Sequence, residues 1–231
     1  MKAKTKIQNL HTAVYERLKS QIIDFTLKPG QKLQDRQLGS QFGVSRTPVR
    51  EALNRLVQEG FVKQIPGQGY FVKEITIKEI EHLYDIREAL EALAAQQAIR
   101  KIDSHQVKKL SEILKRHKRL VENEKFKGKL LEDADFHKTI ALTSGNRYLY
   151  EIISNIFDKI STLQGIGTLT PQRRKIAYRQ HEEIFELLKQ KKEEQLKEKL
   201  RKHILEAKKN AIERLKKKTG FLYLGYHNGL P

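Results

Sequence analysis

Hydrophobic positions recur at helical spacing through most of this 231-residue chain. The first such stretch runs from His11 to Phe25, with an apolar side chain every three or four residues, and predicts an amphipathic helix. The turn Lys28-Pro29-Gly30 ends it. Two shorter helices are predicted next. Asp35 is expected to cap the first of them, which stops at Gly43, and Ser45 is expected to cap the second.

The pattern then changes to two short apolar runs, at residues 61–65 and 70–75, which predict strands. The segment Pro66-Gly67-Gln68-Gly69 between them predicts a hairpin turn. Three helices followed by a hairpin is the order of a winged helix-turn-helix, whose third helix enters the major groove of DNA. An ordinary small α+β domain shares this order and is the alternative.

Beyond Thr76 the pattern is helical throughout. Six helices are predicted, at residues 77–101, 105–126, 129–144, 147–166, 173–190 and 192–217. The last eleven residues are aromatic and glycine-rich and have no helical period. The chain is therefore expected to be mostly α. We expect a winged helix-turn-helix domain at 1–75, an all-α helical bundle domain at 76–218 and a C-terminal tail at 219–231.

Composition narrows the classes of function. The formal net charge is +18, with 46 Lys and Arg against 28 Asp and Glu. So basic a chain points first to nucleic acid, and a lysine-rich surface without such a partner is the alternative. The chain has no cysteine, which excludes disulfides and thiolate metal sites, and no run approaches the roughly 20 apolar residues of a membrane span. Because no secretory signal is visible, a cytoplasmic protein without a membrane partner is expected.

Several motifs carry a resemblance to a known family. The run Ser45-Arg46-Thr47-Pro48-Val49-Arg50-Glu51-Ala52-Leu53 closely resembles the DNA-binding domain of GntR-type bacterial transcription regulators. In the helical part, residues 86–91, 133–137 and 144–146 resemble the FCD domain, the effector-binding domain of the FadR branch. The resemblance covers residues 10–217 and implies a sequence-specific transcription regulator rather than an enzyme.

The DNA-binding residues follow from this resemblance. It implies DNA contacts by Arg36, Ser45, Arg46, Thr47 and Arg50, and a minor-groove contact by the hairpin tip, Gly67 and Gln68. Arg46 and Arg50 share a helix face at i and i+4, and the arginine fork matches the O6 and N7 acceptors of guanine. An ion pair with a neighbour such as Glu51 is the alternative for Arg50. Many relatives carry a basic residue at the hairpin tip, where this chain has Gln68.

Three of the eight histidines suggest a metal site. His137, His181 and His203 lie on apolar faces of different predicted helices, and Asp133 lies one turn before His137. Such a set suits a divalent ion, but His117 fits an apolar face equally well, so the pattern alone leaves core packing as the alternative. The metal-binding FCD branch uses an acid and three histidines from three helices, and the four residues match those places. Zinc or nickel is the expected ion, with manganese or iron as alternatives.

The remaining polar candidates are assigned as follows. His117 is expected in the core, and His82 is left open. Asp135 is the weaker acid candidate because a residue two positions from His137 points away from it. Asn146 is expected to cap the helix that follows it.

An effector pocket is expected beside the ion. The resemblance places an inward basic residue at Arg87, and a metal with an arginine favours a small carboxylate, such as a hydroxy acid, sugar acid or dicarboxylate. An ion pair between Arg87 and Glu91, four residues later, is the alternative. A homodimer on palindromic operator DNA is expected, because one winged helix reads only a half-site.

Two other classes of protein fit parts of this pattern. Three histidines and an acid also describe catalytic zinc sites, but no H-E-x-x-H signature is present, since His181-Glu182-Glu183 lacks a second histidine at i+4. A protein that merely coats nucleic acid would explain the charge. Such a protein has no need of a buried polar site.

Overall fold

The computed structural model describes residues 2–123, 131–162 and 169–226, with side chains at 10–123, 133–162 and 169–217. The chain divides into two compact units, Met1–Ile75 and Thr76–Pro231. The first combines helices with a small sheet, and the described part of the second is helical. This mostly α architecture, with its winged helix-turn-helix order, confirms the predicted fold class.

Three helices and three short strands form the first unit. They are α1 (Lys2–Ile23), β1 (Lys32–Leu33), α2 (Asp35–Phe42), α3 (Arg46–Gln58), β2 (Val62–Ile65) and β3 (Gly69–Val72). β3 lies in the middle of the sheet and pairs antiparallel with both neighbours. The predicted hairpin is therefore present, while β1 was not predicted, because two residues are too few to show a strand period.

The tight connection between α2 and α3 depends on two glycines. Gly43 ends α2 in the left-handed conformation, with a φ of 68°. Gly39 lies where a β-carbon would come within 2.9 Å of the carbonyl oxygen of Val44, so a side chain there would push the two helices apart. Ser45 occupies the predicted N-cap position of α3, but its hydroxyl makes no capping hydrogen bond.

The predicted cap of α2 is wrong. Gln34 occupies the N-cap position, and Asp35 is the first residue of the helix itself. The Asp35 carboxylate accepts hydrogen bonds from Arg46 instead, at 3.0 and 3.3 Å. The Arg46 guanidinium of the next helix therefore binds the Asp35 carboxylate, which was predicted to accept hydrogen bonds from the backbone at the start of α2.

A buried apolar face on each helix holds the first unit together. Leu18 and Ile22 of α1 pack with Leu53 and Leu56 of α3, and all four are at most 2% exposed. Glu59, at the end of α3, accepts hydrogen bonds from Tyr15 and Lys19 of α1 and from Arg55. These contacts hold α1 against α3, the helix that carries the predicted DNA-binding motif.

Six helices make up the described part of the second unit. They are α4 (Ile77–Lys101), α5 (Ser104–Glu122), α6 (Leu131–Thr143), α7 (Arg147–Ser161), α8 (Pro171–Lys189) and α9 (Glu193–Tyr226). α4 packs against α6, α7, α8 and α9, and α5 packs against α6 and α8. Among the described residues, no helix combines the length and apolar character needed to cross a membrane.

Side-chain caps mark the starts of α4, α5 and α7 in the second unit. Thr76 with Glu79, and Asp103 with Gln106, each form a reciprocal capping box at the starts of α4 and α5. The Asn146 side chain accepts a hydrogen bond from the amide of Leu149, which confirms its predicted role as a cap.

The C-terminal end differs from the prediction. Helix α9 continues to Tyr226, through eight residues of the predicted tail, and residues 227–231 of that tail lie outside the described part. Extending a formed helix fixes one residue at a time, and each of the two glycines in this stretch, Gly220 and Gly225, costs only about 1 kcal/mol. Loss of apolar periodicity therefore did not end the helix. Helix α7 stops at Ser161, five residues before its predicted end.

Candidate functional site

Four of the predicted side chains meet inside the second unit. Asp133 and His137 come from α6, His181 from α8 and His203 from α9, and each offers one ligand atom within 4.8 Å of the others. The three histidines are at most 1% exposed, whereas the Asp133 side chain is 37% exposed. The cluster could hold a metal ion.

The geometry of the cluster fits an ion. The three Nε2 atoms form a nearly equilateral triangle with sides of 3.1, 3.2 and 3.2 Å. Ligand nitrogens about 2.0–2.1 Å from one ion lie about 2.9–3.4 Å apart for bond angles between 90° and the tetrahedral value. The Oδ1 atom of Asp133 lies 3.4 Å from Nε2 of His181, on the half-exposed side of the triangle.

Protonation also favours a cation between the rings. Burial lowers the pKa of both His181 and His203 well below its usual value, and the neighbouring imidazoles lower it further. A neutral imidazole is the form that binds a metal ion. Nδ1 of His137 lies 2.5 Å from the Glu91 carboxylate, and Nδ1 of His203 lies 3.0 Å from the Gln180 side-chain oxygen. With hydrogen on both Nδ1 atoms, the Nε2 lone pairs face each other, an arrangement that a cation stabilises.

Arg87 is buried against this cluster at 1% exposure. Its Nε donates to Glu91 at 2.7 Å, so the ion pair considered as the alternative is present. Its guanidinium lies over the rings of Phe157 and Tyr84, 4.1 and 4.8 Å from their centroids. Within the described part of the chain, Nη2 of Arg87 is buried and has no hydrogen-bond partner.

Glu91 stays ionised in this setting. Burial would raise the pKa of its carboxyl, but Arg87 and His137 outweigh burial and hold the pKa well below its usual range. From the sequence, Glu91 was expected only as an ion-pair partner of Arg87. Its contact with His137 depends on how α4 packs on α6, which helical spacing does not reveal.

His117 and Gln180 also contact the cluster. His117 is buried as predicted, yet it is more than core packing, because its Nδ1 lies 3.4 Å from Nδ1 of His181. Gln180 was not predicted, and the only available signal was its position next to His181. Asp135 points away as expected, since its half-exposed carboxylate pairs with Arg116. His82 is exposed and stands apart from the cluster.

The predicted DNA contacts all lie on the surface of the first unit. They are Arg36, Ser45, Arg46, Thr47, Arg50, Gly67 and Gln68. The side chains of Arg46 and Arg50 are 63% and 59% exposed, and both approach the Asp35 carboxylate, with nitrogens 3.0 and 3.9 Å from its Oδ2. The partner of Arg50 is therefore Asp35 rather than Glu51. Gly67 and Gln68 form the tip of the β2–β3 hairpin.

Known proteins match both units. The model of the bacterial regulatory proteins of the gntR family matches residues 10–72, and the FCD domain model matches residues 82–206. The uncharacterized HTH-type transcriptional regulator YdhC of Bacillus subtilis (strain 168) is 30% identical over 203 residues, which cover 87% of this chain and 89% of YdhC.

Two further proteins extend this comparison. The gluconate operon transcriptional repressor of Bacillus subtilis (strain 168) is 32% identical over 140 residues, which cover 60% of this chain and 57% of the repressor. The solved structure of E. coli McbR/YncC superposes with a TM-score of 0.78 at 24% identity, covering 89% of this chain and 98% of that one. The structural match shows a shared fold.

A winged helix-turn-helix that matches the gntR family, followed by a helical unit that matches the FCD domain, defines a DNA-binding transcriptional regulator. The chain belongs to the GntR family of bacterial regulatory proteins and carries an FCD domain in its helical unit. It is therefore a regulator and not an enzyme, which confirms the resemblance drawn from the sequence.

Proposed function

We propose that this protein binds a palindromic operator as a homodimer, and that a small carboxylate bound beside a divalent metal ion changes its operator affinity. The observation that carries the proposal is the buried cluster of Asp133, His137, His181 and His203. A regulator needs no such cluster to bind DNA. Its presence in the helical unit is best explained by ligand sensing.

The exposed arginines support operator binding by the first unit. Arg46 and Arg50 project from the start of α3, where a recognition helix reaches base edges. Ser45 keeps its hydroxyl free of the capping bond, so it can bind a phosphate together with Thr47. Arg36 supports a backbone contact, and Gly67 with Gln68 supports a minor-groove contact. A protein that binds bacterial operators acts in the cytoplasm, where the DNA is.

Exposed apolar residues support a homodimer. Ile86 and Leu93 of α4 are 45% and 41% exposed, and Tyr148 and Ile152 of the adjacent α7 are 77% and 49% exposed. Large apolar side chains on two neighbouring helices are typical of a protein interface. We propose that a second copy of the chain covers them, which would pair two winged helices with two half-sites.

The cluster residues would hold the ion, and the ion would supply positive charge for the effector. The charges of Arg87 and Glu91 cancel, and Asp133 offsets half the charge of a divalent ion, so the loaded site keeps one positive charge. A single carboxylate would neutralise that charge by joining the ion and Nη2 of Arg87. Imidazole-rich ligation favours zinc or nickel, and the carboxylate ligand makes manganese or iron the alternatives.

The class of effector follows from this charge. A hydroxy acid, sugar acid or dicarboxylate brings a carboxylate for the ion and further oxygens for nearby donors. One relative is named for the gluconate operon, and gluconate is a sugar acid.

Operator binding tests the proposal directly. A duplex selected by the protein from a random pool would be labelled, and its affinity measured by fluorescence anisotropy at fixed salt. Native mass spectrometry of the purified protein would identify a co-purified acid, and a panel of hydroxy, sugar and dicarboxylic acids would be tested alongside it. The proposal expects a palindromic duplex and an affinity change with one class of acid. It fails if no duplex is enriched, or if no acid alters binding to the metal-loaded protein.

A further inference from the structure

Each imidazole of the metal cluster has a different partner for its Nδ1 atom. Nδ1 of His137 faces the carboxylate of Glu91 at 2.5 Å, and Nδ1 of His203 faces the amide oxygen of Gln180 at 3.0 Å. Nδ1 of His181 faces an imidazole nitrogen of His117 at 3.4 Å. Glu91, Gln180 and His117 are all buried.

The protonation of His137 and His203 follows from these partners. An ionised carboxylate only accepts hydrogen bonds, and Nδ1 of His137 lies 2.5 Å from one of its oxygens, so a hydrogen on Nδ1 is favoured over a lone pair there. The Gln180 amide nitrogen donates to the carboxylate of Glu206 at 2.9 Å, which fixes the amide oxygen toward His203. Both rings therefore turn an unprotonated Nε2 toward the centre of the cluster.

The positions of the hydrogens on His181 and His117 depend on the proposed ion. If Nε2 of His181 binds the ion, its hydrogen lies on Nδ1 and is donated to Nδ1 of His117. The remaining hydrogen of His117 then lies on its Nε2, a buried atom for which the described part of the chain supplies no acceptor. His117 is thus the third partner of the cluster, and the length of its contact makes it the weakest.

Resting on the proposed metal site, we infer that Glu91, Gln180 and His117 are positioning residues, which fix the ring orientation and the protonated nitrogen of His137, His203 and His181. Arg87 acts through Glu91, because its Nε holds the carboxylate oxygen that does not face His137. Outer partners of this kind typically change metal affinity by about 10–100-fold.

The test measures zinc affinity by competition with a chromogenic chelator, on the full-length protein stripped of metal. Gln180→Met removes the acceptor of His203 and nearly keeps its volume. Glu91→Gln is made together with Arg87→Met, because the single change would leave a buried arginine unpaired. Glu88→Gln is the matched control, since Glu88 lies on the same helix and pairs with Arg201 away from the cluster. Circular dichroism confirms that each variant is folded.

We expect zinc affinity to fall about 10–100-fold in Gln180→Met and in the Glu91→Gln/Arg87→Met variant, and to stay unchanged in Glu88→Gln. His117→Phe should show a smaller loss. The visible spectrum of the cobalt-loaded variants should also change, which a general loss of stability would not produce. Wild-type affinity and an unchanged cobalt spectrum in the variants would overturn this inference alone. A wild-type protein that takes up no zinc or cobalt would overturn the metal site itself.

Discussion

At the scale of single residues, Arg46 is the side chain that we propose reads a base, and in the free protein it has a partner. Its guanidinium pairs with Asp35 and is still 63% exposed. An exposed pair of this kind contributes at most about 1 kcal/mol, so a guanine can replace the carboxylate at little cost. Asp35 thereby orients Arg46 without locking it.

Replacing this arginine should lower both operator affinity and base specificity. Arg46→Ala is expected to cost about 1–3 kcal/mol on the selected operator and to relax base preference at the position it reads. Fluorescence anisotropy on the operator and on single-base variants at matched salt would measure both effects. Arg147→Ala removes an even more exposed charge, from the helical unit, and should leave both unchanged. Parental operator affinity in Arg46→Ala would show that α3 is not the recognition helix.

At the scale of elements, the turn between α2 and α3 depends on Gly39. Gly39→Ala should force the backbone at Val44 to move, because the new β-carbon would lie 2.9 Å from its carbonyl oxygen. We expect a loss of about 1–3 kcal/mol of stability and weaker operator binding. Scanning calorimetry would measure the first effect, with the exposed Ser40→Ala as control. Equal melting temperatures of Gly39→Ala and the parent would mean that the backbone at Val44 can move without a loss of stability.

Helices such as α5 and α7 were predictable because each carries its own apolar period and a side-chain cap. Strand β1 was not predictable, because it forms by pairing with β3, which belongs to a distant segment of the chain. The same distinction holds at the histidine cluster. Its four proposed metal ligands could be predicted from helix faces and a family resemblance, whereas Glu91 and Gln180 approach the histidines only through the packing of one helix on another.

At the scale of the whole molecule, covering the exposed apolar residues should produce a dimer. The double variant Ile86→Lys/Ile152→Lys places charges on α4 and α7 and is expected to be monomeric by light scattering at micromolar concentration, while the parent is dimeric. His105→Lys, at an exposed position of α5, should stay dimeric. A parent that is monomeric with and without DNA would contradict the proposed dimer.

Metal binding should stabilise the helical unit as a whole. One ion would join α6, α8 and α9, and binding only to the folded state adds about 2.7 kcal/mol at a hundredfold excess over the dissociation constant. Scanning calorimetry with zinc and with chelator should show a higher melting temperature with zinc. His181→Ala/His203→Ala should lose this difference, and His82→Ala/His105→Ala, which changes two exposed histidines, should keep it. If the parent has the same melting temperature with zinc and with chelator, the histidines serve only as core packing.

The metal site is tested most directly by a calorimetric titration of zinc, and then nickel, into the metal-stripped full-length protein. We expect one saturable ion per chain, retained in His82→Ala/His105→Ala and lost in His181→Ala/His203→Ala. Reciprocity then requires operator DNA and the carboxylate effector to change each other's affinity by the same factor. A parent that binds neither ion, or a His181→Ala/His203→Ala variant that binds an ion equally well, would show that the four residues do not form a metal site.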